Sequence, residues 1–483
     1  MPARERISHV DTAWLRMDRP SNLMQIVGVM LFEGELDYER LRLSIERRML
    51  GFSRFRQVVH QDASGYVWED HPEFDLDHHL RRAVLPGLAD KAELQRYVAD
   101  LACTPLNPSR PLWEFHLVET TLGGPALVMR IHHSIADGIA LVGVILSMAD
   151  ESAPLPQRQS RAATADAEDD DFFWRMIWRP MTEAMLGSIK VSSNLWVKYV
   201  EIVNNPVQAI EYARIGTGIA TEIARLALMP NDSPTRFKGK PGTTKRVAWS
   251  EPIPLPEVKA VGKVLGCSVN DMLLSSAAGA MRRYLVEHGD SVDGVEIRAM
   301  VPVNMRRPQD AGKLGNRFGL VALELPVGVE NPLARLYATR ERMEKLKGSY
   351  QAALTLSILG AVGMAPKFAQ EKILDLLASK ATAVMTNVPG PQEALYLAGA
   401  KLKQPLFWVP QSGDIGMGVS ILSYDNKVQF GLITDKKLVP DPEQIVDNFA
   451  REFEKLLLLV LMEPWANLDD PAAVEAGLLS DSI

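Results

Sequence analysis

The run His132-His133-Ser134-Ile135-Ala136-Asp137-Gly138 holds the side chains best suited to chemistry in this chain. Two adjacent histidines, three intervening positions and then Asp-Gly make a demanding pattern in a protein with nine histidines. Composition alone produces that pattern in fewer than about one chain in a thousand. Imidazole titrates near neutrality, so a histidine presented where a strand gives way to a turn can take a hydroxyl proton, an effect worth about 10²- to 10⁴-fold. Strand alternation sets His133 on the face of Leu127, Met129 and Ile131, and His132 on that of Val128 and Arg130. His133 is therefore the expected general base. Asp137 precedes an apolar helix, and its carboxylate is expected to cap that helix or join a structural ion pair and so help to position His133, the alternative being a direct role in proton transfer. Arg306 is the candidate partner in that pair. Gly138 completes the motif.

Other chemistries find little support. Adjacent strand residues point apart and no further Cys or His cluster accompanies the pair, so no metal site is expected. The chain has no Gly-x-Ser-x-Gly elbow, Gly-Lys-Ser/Thr phosphate loop, His-Glu-x-x-His helix or Gly-x-Gly-x-x-Gly dinucleotide loop. A base without a protein nucleophile beside it implies direct attack by a bound acceptor hydroxyl or amine.

The elements that must position this motif are legible as alternating strands and helices. Leu23 to Phe32 reads as an apolar strand, and Leu41, Ile45 and Met49 recur on one helix face. Asp90 to Leu101 repeats the helical pattern. Pro111 to Glu119 and Ala126 to His132 form a hairpin across Leu122-Gly123-Gly124-Pro125. The helix after His133 carries Ile139, Val142, Leu146 and Ala149 on one stripe. From Glu151 to Asp171, prolines and the acidic run Glu168-Asp169-Asp170-Asp171 mark a solvated linker. Phe172 to Met229 is then helical and aromatic, and Pro230 to Gly242 is a second break. Beyond it lie a helix around Val269 to Tyr284, a strand at Arg298 to Val303, a buried helix at Ala352 to Ala365, and a hairpin from Val419 to Asp435 that turns at Asp425-Asn426. The layout is α/β, two halves joined by a helical crossover, with boundaries at 1–152, 153–240 and 241–483.

Bulk properties agree. The chain's 483 residues suffice for two ordinary cores, and 47% hydrophobic with 23% charged residues is a globular composition. A net charge of −7 argues against nucleic acid as a partner. Two cysteines fit a reducing cytoplasm. The first ten residues are charged rather than signal-like, and no stretch approaches the roughly 20 apolar residues that span a bilayer.

The histidine motif resembles that of the superfamily of chloramphenicol acetyltransferases, peptide-synthetase condensation domains and plant acyltransferases. Pro111-Leu112-Trp113-Glu114, Asn270-Asp271, Val301-Pro302-Val303-Asn304-Met305-Arg306 and Thr386-Asn387-Val388-Pro389-Gly390-Pro391 are similar to signature blocks of bacterial wax ester synthase/diacylglycerol acyltransferases, in the same order and over nearly the whole length. Ser21-Asn22-Leu23-Met24 departs from the Pro-Met-His-Val-like run of many members, which bears on acceptor preference. The resemblance implies two chloramphenicol-acetyltransferase-like halves with His133 in a channel between them, Asp137 orienting the loop, and Asn270 and Asp271 supporting the site. It implies transfer of a fatty acyl group from acyl-CoA, a substrate rather than a cofactor, to a fatty alcohol or diacylglycerol.

Each supporting block also has a plainer reading. Asn270-Asp271 can simply cap a helix, Trp113 can be a core or channel-wall aromatic, and Thr386-Asn387 can shape a turn or place a donor near the developing oxyanion. Arg236, Lys238, Lys240, Lys245 and Arg246 can receive CoA phosphates or face solvent. The tryptophans and cations of Phe172 to Met229 suit an interfacial helix, and thus peripheral association with a membrane or lipid inclusion, or else a packed crossover. The alternatives for the whole chain are a condensation-like acyltransferase and an idle lipid-inclusion binding protein.

Overall fold

The computed structural model describes residues 4–62, 65–150, 229–306, 314–346, 351–364, 370, 375–376 and 378–462. The linker and nearly all of the crossover, with Trp174, Trp178 and Trp196, lie outside these residues. In the first half the strands are β1 (Arg4–Arg6), β2 (Gln25–Glu33), β3 (Gln57–Asp62), β4 (Gly65–Asp70), β5 (Leu80–Val84), β6 (Trp113–Glu119) and β7 (Ala126–His132). The second half contributes β8 (Lys245–Trp249), β9 (Ile253–Pro254), β10 (Ile297–Asn304), β11 (Phe318–Leu325) and β12 (Ala383–Pro389). It continues with β13 (Tyr396–Leu397), β14 (Ala400–Trp408), β15 (Met417–Tyr424) and β16 (Lys427–Asp435).

Two mixed sheets carry the molecule. One has the order β13-β14-β2-β7-β6-β5; the other runs β11-β10-β12-β15-β16-β8, with β9 paired to β16. A small sheet, β1-β4-β3, lies apart. The strand β2 is apolar on both faces because both are covered: Ile26, Met30 and Phe32 enter one core cluster, Val27, Val29 and Leu31 another. The expected hairpin between β6 and β7 forms, and β15 and β16 turn at Asp425 and Asn426, whose φ angles of 48° and 56° are those of a two-residue turn that Asn and Asp tolerate.

The structure departs from the expected layout in two ways. Tyr396 to Trp408, placed by position in the second half, pairs in space with the first: β14 lies antiparallel on β2, so the first sheet is completed by late sequence. In the helix Gly138–Met148 the buried residues are Leu141, Val144 and Met148, and Ile139 and Val142, less buried, line a cavity together with Leu141 and Ile145. That helix is apolar all round, so periodicity could not choose its inward face.

The second sheet rests on the helix Val269–Glu287, which packs in turn against Pro332–Leu346 and Pro442–Met462. Arg335 and Glu452 form a buried ion pair between the last two of these helices. The helix Gln351–Met364 covers the sheet's edge strand: Thr355 Oγ1 accepts from the Leu320 N–H at 2.6 Å and Gln351 Oε1 from that of Ala322 at 3.1 Å. Its buried positions, Gln351, Ala352, Leu354, Thr355 and Leu359, form one side only, since Ser357 is exposed. The polar residues within this weakly polar stretch thus satisfy an edge that would otherwise be bare.

Candidate active site

His133 follows the last residue of β7 and is anchored by its backbone from both sides. Its N–H donates to the Met24 carbonyl at 2.7 Å, and its own carbonyl accepts from Asn316 Nδ2 at 2.6 Å. Trp14, on the helix His9–Met17, stacks on the imidazole with centroids 4.1 Å apart, and Phe318 of β11 lies 5.4 Å away. The ring is 2% exposed, and its buried Nδ1 has no hydrogen-bond partner among the described residues. Burial pushes the imidazole down to about 4, against the opposing pull of the Asp137 charge. The ring is therefore neutral at physiological pH, the form in which it can accept a proton.

His132 points the other way. The Ser134 N–H donates to its Nδ1 at 3.1 Å, so Nε2 carries the proton and donates to Asp18 Oδ2 at 3.2 Å. Asp18 also accepts from the Met24 N–H at 2.5 Å, so His132 helps to hold the entry to β2 rather than facing the cavity.

Asp137 makes both a helix cap and an ion pair. Its Oδ1 accepts from the Ala140 N–H at 2.9 Å, capping the helix Gly138–Met148. Its Oδ2 accepts from the Arg306 guanidinium at 2.7 Å and the Arg317 N–H at 3.0 Å. Arg306 also donates to the Gly315 carbonyl at 2.8 Å, beside an isolated bridge between Ala136 and Gly315. Asp137 and Arg306 are 4% and 6% exposed, so the pair is shielded from water.

These contacts frame a cavity of about 1240 Å³, counted out to its mouth, between the two sheets. Ile26, Met129 and Ile131 line it from the first sheet, Phe318, Val384 and Ile421 from the second, and Ile139 and Val142 from the motif helix. Gly138 and Asp137 lie at its edge with His133. A smaller polar pocket on the opposite face of the first sheet holds the buried Lys245, whose Nζ donates to Asn22 Oδ1 at 2.6 Å.

The remaining expected residues divide. Thr386 and Asn387 line the cavity, but the Thr386 hydroxyl donates to the Val419 carbonyl at 3.3 Å. Asn387 Nδ2 donates to Asn270 Oδ1 at 2.6 Å, so Asn270 acts from behind the wall. Asp271 is the third helical residue of a capping box with Ser268, the plainer of its two readings. Trp113 is not on the cavity wall: it is fully buried, stacked on His79, with Nε1 donating to the Phe55 carbonyl at 2.8 Å. Glu114 pairs with Arg130 on the sheet face turned away from His133. Of the cations considered for CoA phosphates, Arg236 pairs with Asp290 and Lys238 donates to the carbonyls of Ala378, Ser379 and Ala381. Trp14 and Asn316 were not singled out from the sequence, and neither sits in a pattern that local reading could flag. Ser412 and Ser420, two further polar residues on the wall, were equally silent. Among the described residues no group of three or more His, Cys, Asp or Glu side chains could hold a metal ion.

Comparison with known proteins adds independent findings. A family model described as the wax ester synthase/diacylglycerol acyltransferase catalytic domain matches residues 7–273, and the WS/DGAT C-terminal domain matches 314–457. The chain is 26% identical over 465 residues to Mycobacterium tuberculosis tgs1, named a probable diacylglycerol O-acyltransferase, covering 94% of this chain and 96% of that one. Its fold is similar to that of the wax ester synthase/diacylglycerol acyltransferase from Marinobacter aquaeolei VT8, with a TM-score of 0.63 at 21% identity, covering 93% and 98% of the two chains. The first condensation domain of the calcium-dependent antibiotic synthetase is similar at a TM-score of 0.57 and 15% identity, covering 93% and 96%. These likenesses establish a chloramphenicol-acetyltransferase-like fold.

Two sets of substitutions test the geometry. His133→Ala should fold and lose at least about 10²-fold in acyl transfer, whereas His132→Ala should lose less and mainly through local packing. Near-normal turnover in the first with a dead second variant would contradict the facing of the two rings. Asp137→Asn strips charge from a buried pair and should destabilise the fold by about 3–5 kcal/mol, seen as a lower Tm together with lower activity. Lost activity at unchanged Tm would assign Asp137 a direct part in proton transfer instead.

Proposed function

The chain belongs to the wax ester synthase/diacylglycerol acyltransferase family and is an acyltransferase, and from that premise we propose that it moves a long-chain acyl group from acyl-CoA to a fatty alcohol or diacylglycerol with His133 as general base. The observation that carries this reading is a neutral imidazole, anchored by its backbone, at the wall of a large apolar cavity. An acyl chain and a water-insoluble alcohol both need such a wall, and each buried methylene contributes roughly 0.8 kcal/mol to binding.

In this mechanism the acceptor hydroxyl donates a hydrogen bond to the His133 imidazole. As its oxygen attacks the thioester carbonyl carbon, the proton passes to the ring and a carbon–oxygen bond forms. Collapse of the tetrahedral intermediate breaks the carbon–sulfur bond, and the imidazolium returns the proton to the departing thiolate, releasing CoA and the ester. Asp137 and Arg306 hold the loop and take no proton. The cavity's low polarity strengthens the contacts that steer the hydroxyl to the ring. Thr386 and Asn387 support this reading from the wall opposite the first sheet, with Asn270 bracing Asn387. The Gly138 N-terminus of the motif helix completes the frame.

No helix among the described residues is long and apolar enough to cross a membrane. A peripheral position at a membrane or lipid inclusion follows from the insolubility of the acceptors. The test is release of free thiol from long-chain acyl-CoA with and without a long-chain alcohol or diacylglycerol supplied in vesicles, followed by flotation of the mixture. Acceptor-dependent thiol release with ester formation is expected, the protein floating with the vesicles. Turnover only with carrier-protein thioesters, or strong preference for acetyl-CoA, would overturn the assignment of substrates while leaving an acyl-transfer base in place.

A further inference from the structure

Taking a proton turns the His133 ring into a cation where little water can solvate it, for the residue is 2% exposed. The Asp137 charge favours that cation and His132 opposes it. Asp137 is already bonded to the Ala140 N–H, the Arg306 guanidinium and the Arg317 N–H, so the guanidinium cancels part of its field. The group laid directly on the ring is the indole of Trp14.

The two rings are stacked, with centroids 4.1 Å apart and planes 18° from parallel. Phe318 is a second aromatic neighbour, farther off at 5.4 Å and tilted by 48°. An aromatic face carries partial negative charge, most of all in indole, and attracts a cation more strongly where water is excluded. A neutral imidazole gains only ordinary stacking from that face. The contact therefore strengthens as the hydroxyl proton arrives, which is the condition for an interaction to lower a barrier.

The fold fixes the indole against the imidazole. Trp14 is 5% exposed, and its helix His9–Met17 is capped by Ser8, whose hydroxyl oxygen accepts from the Asp11 N–H at 3.0 Å. Asn316 Nδ2 donates both to Asp11 Oδ1 at 2.7 Å and to the His133 carbonyl at 2.6 Å. One amide thus ties the helix that carries the indole to the residue that carries the imidazole. Gln370 Nε2 adds a donation to the Ala13 carbonyl at 3.1 Å, next to Trp14 in the chain. The indole Nε1 is buried without a hydrogen-bond partner among the described residues, so its polar edge gives no reason for a tryptophan here. Its face does.

We propose that the face of Trp14 stabilises the His133 imidazolium as it forms, which makes Trp14 a positioning residue of acyl transfer that acts through the base. The inference rests on His133 being the general base, as proposed above. A desolvated cation on an indole face is worth roughly tenfold in the equilibrium that forms it.

The experiment replaces Trp14 with progressively fluorinated tryptophans, which keep the shape of the ring and drain charge from its face. Each protein is checked by thermal melting. The rate of acyl transfer in a single turnover and KM are then measured, and the protonation midpoint of His133 is followed by nitrogen NMR, assigned by difference from His133→Ala. The logarithm of the rate should fall steadily with fluorination, to about a tenfold loss, with KM unchanged. The His133 midpoint should move down from about 4 in step. Trp14→Phe should keep more of the rate than Trp14→Leu, and that pair decides if the fluorinated proteins do not fold. A rate that stays flat or rises across the series, a midpoint that does not move, or equal rates in the Phe and Leu variants overturns the proposal. A midpoint that falls with fluorination while His133→Ala keeps its turnover sinks the general-base reading and, with it, this role for Trp14 in transfer.

Discussion

Three donors converge on the carboxylate of Asp137: the Ala140 N–H from its own helix, and the Arg306 guanidinium and Arg317 N–H from the far half. Charge removed from water at 4% and 6% exposure is tolerable only if such partners are complete. The demand is reciprocal. It ties the start of the motif helix to the loop after β10, and the same loop brings Asn316 to the His133 carbonyl. The imidazole is therefore located by groups from both halves, and each half is registered against the other by the same contact. A substitution that loosens the ion pair would loosen the His133 ring and the cavity together.

Holding the ring this way has an electrostatic consequence. Trp14 and Phe318 exclude water from it, which keeps the imidazole neutral but lowers its basicity. In the proposed reaction a weak base suits an acceptor trapped against it, because proximity supplies what basicity does not. The charge of Asp137 offsets part of the burial by favouring the imidazolium as it forms. Capping, ion pairing and electrostatic support are thus combined in one carboxylate, four positions after the proposed base at the start of a helix.

The proposed reactive centre stood out in the sequence because its residue types are rare and its spacing is short. Strand alternation separated His133 from His132, and both facings are found. The turn at Asp425 and Asn426 was equally local, since those side chains tolerate the positive φ it requires. What escaped depends on long-range pairing. The strand β2 is covered on both faces, so its sequence carried no alternation that named β14 as its partner. Trp14 and Asn316 meet His133 across more than a hundred residues of chain, with no motif around either. The motif helix, Gly-Ile-Ala-Leu-Val-Gly-Val-Ile-Leu-Ser-Met, is apolar on every side, and only packing could select Leu141, Val144 and Met148 as its core face.

The central claim is that a neutral, buried imidazole at position 133 is the base, and the pH dependence of kcat/KM addresses it most directly. In the fold burial holds this ring's protonation well below its ordinary value of 6.5, at about 4, so the competent neutral form persists through mildly acid pH and is lost as pH falls through about 4. Over the same window the unfolded chain binds the proton that the folded chain refuses, so stability also falls from about pH 6.5 downward. With the folded fraction monitored at each pH, the account predicts an acid limb of kcat/KM near pH 4 and full activity at pH 6. An acid limb near 6.5 in a fully folded enzyme would contradict it, because the base would then be a solvated group and not the buried His133.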